Sequence, residues 1–185
     1  MAETTTWQID PSHSTIEFAV KHMMFTTVRG RFKEVTATIE ADERNPTRST
    51  VNVEINAASI DTGTPDRDKH LVSPDFLDVG KLPKITFKSK RVEGAIAKEG
   101  DKFRVGGDLT IRGTTKEVTL ECVYEGRGKD PWGGERAGFT ASTHIDRREW
   151  GLQWNQMLET GGILVGNDVR IEAEVQAVKQ VPVVK

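Results

Sequence analysis

Cysteine is almost absent: Cys122 is the single one in 185 residues. A lone thiol excludes an internal disulfide framework and any thiolate-based zinc cluster. Cys122 sits within the apolar alternation of Val118–Tyr124, where nothing nearby would lower its pKa, so it reads as an inert core thiol. No run approaches the roughly 20 apolar residues of a membrane-spanning helix. The start, Met1–Asp10, carries no apolar region of the kind a secretory signal needs. The expected location is therefore the cytoplasm, or the periplasm or exterior if this start belongs to a trimmed mature form. Charge of one sign is also missing. Twenty-six Lys and Arg face 28 Asp and Glu, for a net charge of −2, and the basic residues are scattered. That excludes the footprint of a general nucleic-acid binder and of a polybasic membrane tether. None of the four histidines, His13, His22, His70 and His144, falls in an HxH or HExxH pair, and no glycine run has the phosphate-loop frame. No metal and no cofactor is expected.

What is present is a period of two. At 36% hydrophobic and 29% charged, the chain has the composition of one globular domain, residues 1–185 with a core from about 7 to 177. Ile16, Phe18, Val20, His22 and Met24 alternate with polar neighbours, and so do Val51, Val53, Ile55 and Ala57. Phe103–Ile111, Ala137–Ile145 and Val169–Ala177 repeat the pattern, and Gly30–Glu40, Ile85–Val92 and Lys116–Tyr124 bring the count to about eight strands. The parity slips between Phe32 and Val35, which predicts a bulge. Gly100-Asp101, Arg112-Gly113 and Gly126-Arg127-Gly128 read as turns between strands. Ser59–Pro83 breaks the pattern. Thr64-Pro65-Asp66 and Ser73-Pro74-Asp75 both have the order cap, proline, acid, which predicts short helices at about Pro65–Leu71 and Pro74–Leu77. One apolar and one polar face per strand implies an antiparallel sheet, and eight such strands hide their edges best by closing on themselves. The predicted class is all-β: an eight-stranded antiparallel lipocalin-like barrel with one or two short helices in the Ser59–Pro83 crossover.

Catalytic signals are thin. Ser14, His22 and Asp61 make a triad on paper but have no nucleophile elbow around them. A hydrolase of a hydrophobic ester or amide, with His22 or His144 as base, is the alternative reading. His13, in Asp10-Pro11-Ser12-His13-Ser14, reads as a turn residue, and Arg67 as a local partner of Asp61 or Asp68. The aromatic residues, with Met23, Met24 and Met157, are more numerous than display requires. Together with two long irregular segments they favour a pocket for an apolar ligand.

Ordered motifs then carry a resemblance. Trp7-Gln8-Ile9-Asp10-Pro11-Ser12-His13-Ser14 is followed by Ile16-x-Phe18-x-Val20-x-His22 and Val28-Arg29-Gly30-Arg31-Phe32. Ala58-Ser59-Ile60-Asp61-Thr62, Arg67-Asp68-Lys69-His70-Leu71 and Ser73-Pro74-Asp75-Phe76-Leu77-Asp78 come next. Pro83–Phe87 and Gly107–Lys116 complete the series. From about Trp7 to Ala177 the chain resembles the YceI-like family of bacterial polyisoprenoid-binding proteins. It departs from that family at Arg147-Arg148-Glu149-Trp150-Gly151, where an Arg-x-Asp-Phe-Gly stretch is usual. The resemblance implies non-catalytic binding, storage or transport of a long isoprenoid, such as a polyprenyl pyrophosphate or a quinone, and a homodimer. The tail is expected along Phe18, Val20, Val28, Phe32 and Ile39, and along Phe87, Phe103, Leu120 and Phe139. Phe76, Leu77, Trp150, Trp154 and Met157 are expected to cover an opening, and His22 and Arg67 to meet the headgroup.

Overall fold

The computed structural model describes residues 3–159 and 161–182. Its strands are β1 (Thr4–Ile9), β2 (Thr15–His22), β3 (Thr26–Phe32), β4 (Val35–Asp42), β5 (Thr50–Asn56), β6 (Ile60–Asp61), β7 (Lys84–Gly94), β8 (Lys102–Ile111), β9 (Thr114–Lys129), β10 (Glu135–Asp146) and β11 (Val165–Lys179). The order β1-β4-β5-β7-β8-β9-β10-β11 closes on itself through Trp7↔Lys179, Gln8↔Val178 and Ile9↔Ala177. The predicted eight-stranded antiparallel barrel is thus present. β2, β3 and β6 continue from β11 as a side branch, so the described residues hold eleven strands rather than about eight.

The branch arises where two long strands change partners. Along one edge of β11, Trp7–Ile9 pair with its C-terminal end and β2 pairs with Val165–Glu174. The break between them is the Asp10–Ser14 motif. Asp10 caps a 3-10 turn that begins with Pro11, whose fixed φ and missing N–H suit that position. Ser14 Oγ then bonds the backbone of Gln176 in both directions. Asp10 also accepts from Ser12, His13 and Arg136, in that order of influence, which holds its carboxyl far below the usual range. Those bonds favour the charged form, so their contribution is present above the ordinary carboxylate pKa of about 4 and is lost as pH falls through the depressed native value. Asp10→Asn is expected to lower the melting temperature by a few degrees at pH 7 and by less at pH 3, read by circular dichroism. A shift that grew on acidification would refute the charge assignment. The second partner change lies at the predicted parity slip, where the structure has a break between two strands in place of the expected bulge: β3 ends at Phe32 on β6, and β4 begins at Val35 on β5.

Three local expectations are corrected. Met23 and Met24 leave the strand alternation for a tight turn with φ of 51° and 67°. Pro74–Leu77 is a run of turns closed by Leu77 N–H to Leu71 C=O and Asp78 N–H to Ser73 C=O, too short to nucleate a helix. Gly126-Arg127-Gly128 lies inside β9, whose register against β10 shifts at Gly138/Phe139. The other predicted helix is α1 (Pro65–Leu71), although the Thr64 side chain makes no capping bond.

The crossover between β6 and β7 forms a plug packed in the core, with Ala57 N–H bonded to Pro83 C=O at its neck and Phe76 and Leu77 buried. Trp150, 2% exposed, completes the plug and donates its indole N–H to the Leu109 carbonyl at 2.9 Å. Arg112 clasps the two pieces, donating to the carbonyls of Gly151 and Pro74. Arg147 is buried too, and donates to the carbonyls of Gly166, Leu152 and Val165. Burial lowers its pKa.

Candidate functional site

An eight-stranded barrel is just wide enough for ordinary side chains to fill. Here the inward rows carry small residues side by side. Ala137 faces Ala177, and Ala141 faces both Cys122 and Ala173. Ala37 and Ala41 narrow the opposite wall in the same way. The space they leave is a cavity of about 310 Å³, within the range of small-molecule sites. Val53, Ile55, Val105, Leu109, Val118, Ile171 and Val175 are among the larger apolar residues of the remaining wall. The Cys122 thiol lies on it, and burial followed by the nearby Glu121 charge pushes its pKa up to about 12. A thiol-reactive chromogenic disulfide at pH 8 is therefore expected to leave Cys122 untouched in the folded protein and to react fully in denaturant. Rapid reaction with the native protein would contradict that placement.

The cavity has one polar end. Asp42, Glu43 and Arg127 are its ionised lining groups among the described residues, and Pro46, Ser49 and Thr50 of the β4–β5 connection join them there. Asp42 is buried, its Oδ1 accepting the N–H groups of Arg44 and Asn45. Arg127 donates to Glu43 at 3.0 Å and to Glu135 at 2.6 Å, and its guanidinium stands 5.0 Å from the Trp7 ring centre. Although burial opposes it, bonding from Thr5 and Arg127 keeps the Glu43 carboxyl below its usual range. Both arms of the rim cation are spent on carboxylates. The aromatic plug meets the cavity wall from outside, through Trp150 on the carbonyl of the lining residue Leu109, and contributes no lining residue itself.

The predicted ligand residues fall in several different places, and only some reach the cavity. Ile39, Phe87, Phe103, Leu120 and Phe139 line the cavity. Phe18, Val20, His22, Val28 and Phe32 do not, because they belong to the side branch, beyond the point where the strands leave the ring. There the Phe18 and Phe32 rings pack at 5.7 Å, and Phe18 covers Gly30. Phe76, Leu77, Trp150 and Trp154 sit in or against the core at the plug, away from the polar rim; Trp154 meets His70 edge-on and Phe76 at a tilt. Met157 is 80% exposed and covers nothing. Arg67 donates to Thr62 Oγ1 and its carbonyl instead of meeting the cavity, Asp61 or Asp68.

The paper triad separates as well. Ser14 and His22 bracket β2, roughly 26 Å apart at ~3.3 Å per residue. His144 is exposed and pairs with Asp168 at 2.9 Å. No histidine lines the cavity among the described residues. No group of three or more His, Cys, Asp or Glu that could hold a metal occurs among them either.

Sequence reasoning missed Arg127, Glu43, Trp7 and Tyr124. The Gly-Arg-Gly spacing concealed Arg127 as a turn, and nothing in the sequence joined it to residues more than 80 positions away. The alanines were legible: four stand at inward positions of two long rows otherwise built from larger residues.

Comparison with known proteins adds to this geometry. The YceI-like domain, as a family profile, matches residues 7–177. The chain is 44% identical over 140 residues to Protein YceI of Salmonella newport, covering 76% of this chain and 71% of that one. It is similar in structure to the YceI protein of Campylobacter jejuni, with TM-score 0.70, 29% identity and coverage of 87% and 90%. Burkholderia cenocepacia BcnA shares the fold, with TM-score 0.77, 23% identity and coverage of 91% and 98%. A polyisoprenoid-binding domain from Saccharophagus degradans shares it at 11% identity, with TM-score 0.69 and coverage of 96% and 99%.

Proposed function

We propose that this chain, which belongs to the YceI-like family, is a non-catalytic carrier or store of a long isoprenoid lipid held tail-first in its barrel. The observation that carries the reading is the apolar cavity inside the barrel, with ionised and polar groups gathered at one end. Each tail CH₂ moved out of water contributes roughly 0.8 kcal/mol, so ten well-buried carbons outweigh the ordering cost of a flexible chain. The fold that this protein shares with a polyisoprenoid-binding domain supports the same cargo class.

The rim favours an uncharged headgroup, of the quinone kind, over a pyrophosphate. Arg127 is already bound by Glu43 and Glu135, and Asp42 adds a further negative charge. A pyrophosphate would have to displace carboxylates or sit beside them, whereas a carbonyl or hydroxyl needs one donor. Hydrolysis finds no support in a cavity without a histidine base.

Denaturing extraction of purified protein followed by mass spectrometry is expected to release a long-chain isoprenoid. Stripped protein should take up an isoprenoid quinone in preference to a polyprenyl pyrophosphate of similar length. Protein that is repeatedly empty and ignores both would retire the carrier reading. A preference for the pyrophosphate would retire only the headgroup assignment.

A further inference from the structure

The β2–β3 hairpin is built against the usual chemistry of its turn. Its central residues, Met23 and Met24, both take left-handed φ, with Phe25 N–H bonded back to His22 C=O. Such a pair ordinarily carries Asn-Gly, because a side chain crowds the backbone there. Two methionines are instead held at the tip, and they and Phe25 stay largely in solvent: Met23 is 42% exposed, Met24 61% and Phe25 81%. The neighbouring 156–164 loop presents Met157, 80% exposed, and is tied to the hairpin by Met23 N–H to Leu164 C=O. The Met24 side chain lies against Gly162 of that loop. Four large apolar side chains thus crown one end of the molecule, where isolated exposed ones would need no explanation.

The charges on the hairpin near its tip have one sign, and Asp168, the acid beside Lys21 on β11, is paired with His144. From Phe18 to Gly30 there is no acidic residue, while Lys21 and Arg29 stand exposed on adjoining strands and make no ion pair among the described residues. Glu159, exposed on the companion loop, is the acid nearest in sequence to Met157. An apolar tip backed by free cations suits an interface that is oily below and anionic at its surface. A second copy of the same tip would oppose like charges.

We propose that the Met23–Phe25 hairpin tip, with Met157 beside it, docks this protein on an anionic lipid bilayer. The docking is independent of what fills the barrel. It inserts Phe25 and the methionine side chains at headgroup depth, and it sets Lys21 and Arg29 against lipid phosphates.

Flotation with phosphatidylcholine vesicles, with and without phosphatidylglycerol, tests this on the full chain. Wild-type protein is expected to float with the phosphatidylglycerol vesicles, and less so at high salt. Phe25→Ser should reduce binding roughly tenfold, the loss expected when one aromatic side chain no longer leaves water. Met23→Asn with Met24→Gly should raise the melting temperature, because it relieves the turn, and should still lose vesicle binding; no misfolding artefact gives that combination. Trp132→Ser, at an exposed site on the β9–β10 loop, should bind as wild type. The proposal is overturned if wild-type protein ignores anionic vesicles, if the tip variants bind unchanged, or if Trp132→Ser alone abolishes binding. It is equally overturned if sedimentation shows that the tip variants dissolve a dimer without affecting flotation.

Discussion

Trp150→Ala is expected to cost about 3–5 kcal/mol of folding stability, the range for removing a large aromatic from a packed interior. Trp150 is among the most buried side chains, and it packs in the same core as the crossover residues Phe76 and Leu77. Alanine would leave a void beside Phe76, Leu77 and Leu152 and strand the Leu109 carbonyl, which now accepts the indole N–H. Trp150→Phe separates the two effects, keeping most of the volume and losing the bond, and should cost about 1–2 kcal/mol. Urea unfolding followed by circular dichroism measures both. A loss below about 1 kcal/mol for the alanine variant would mean that Trp150 is not packed in that core.

The second large effect concerns cargo. Ala141→Trp places an indole between Cys122 and Ala173, in the row whose small side chains make the cavity. Extracted lipid should fall roughly tenfold or more, as expected when a site is sterically filled at a cost above 1.4 kcal/mol. Stability should change by less than about 2 kcal/mol, because the new ring enters existing space and does not overpack a dense core. Co-purified lipid by mass spectrometry and the melting temperature are read on the same sample. Unchanged lipid in a folded Ala141→Trp protein would place the tail elsewhere. Phe18→Trp serves as the contrast: Phe18 packs in the side branch, so cargo should persist.

The sequence by itself determined the sheet. Alternation along rows such as Phe103–Ile111 fixes which side chains face inward, because a strand turns successive residues to opposite faces whatever its neighbours are. Proline at the first helical position and the acids of the first turn likewise marked α1, and the parity slip after Phe32 marked the place where β3 gives way to β4. All of these signals are local. Only the tertiary structure decided which inward rows enclose space. Phe18 and Phe139 carry the same alternation, yet Phe139 lines the cavity and Phe18 does not, because β2 leaves the ring after β11 changes partner at the Asp10–Ser14 break. The rim was hidden for the same reason. Arg127 meets Glu43 across 84 residues, and a pairing at that separation is set by strand order and register, which no local pattern records.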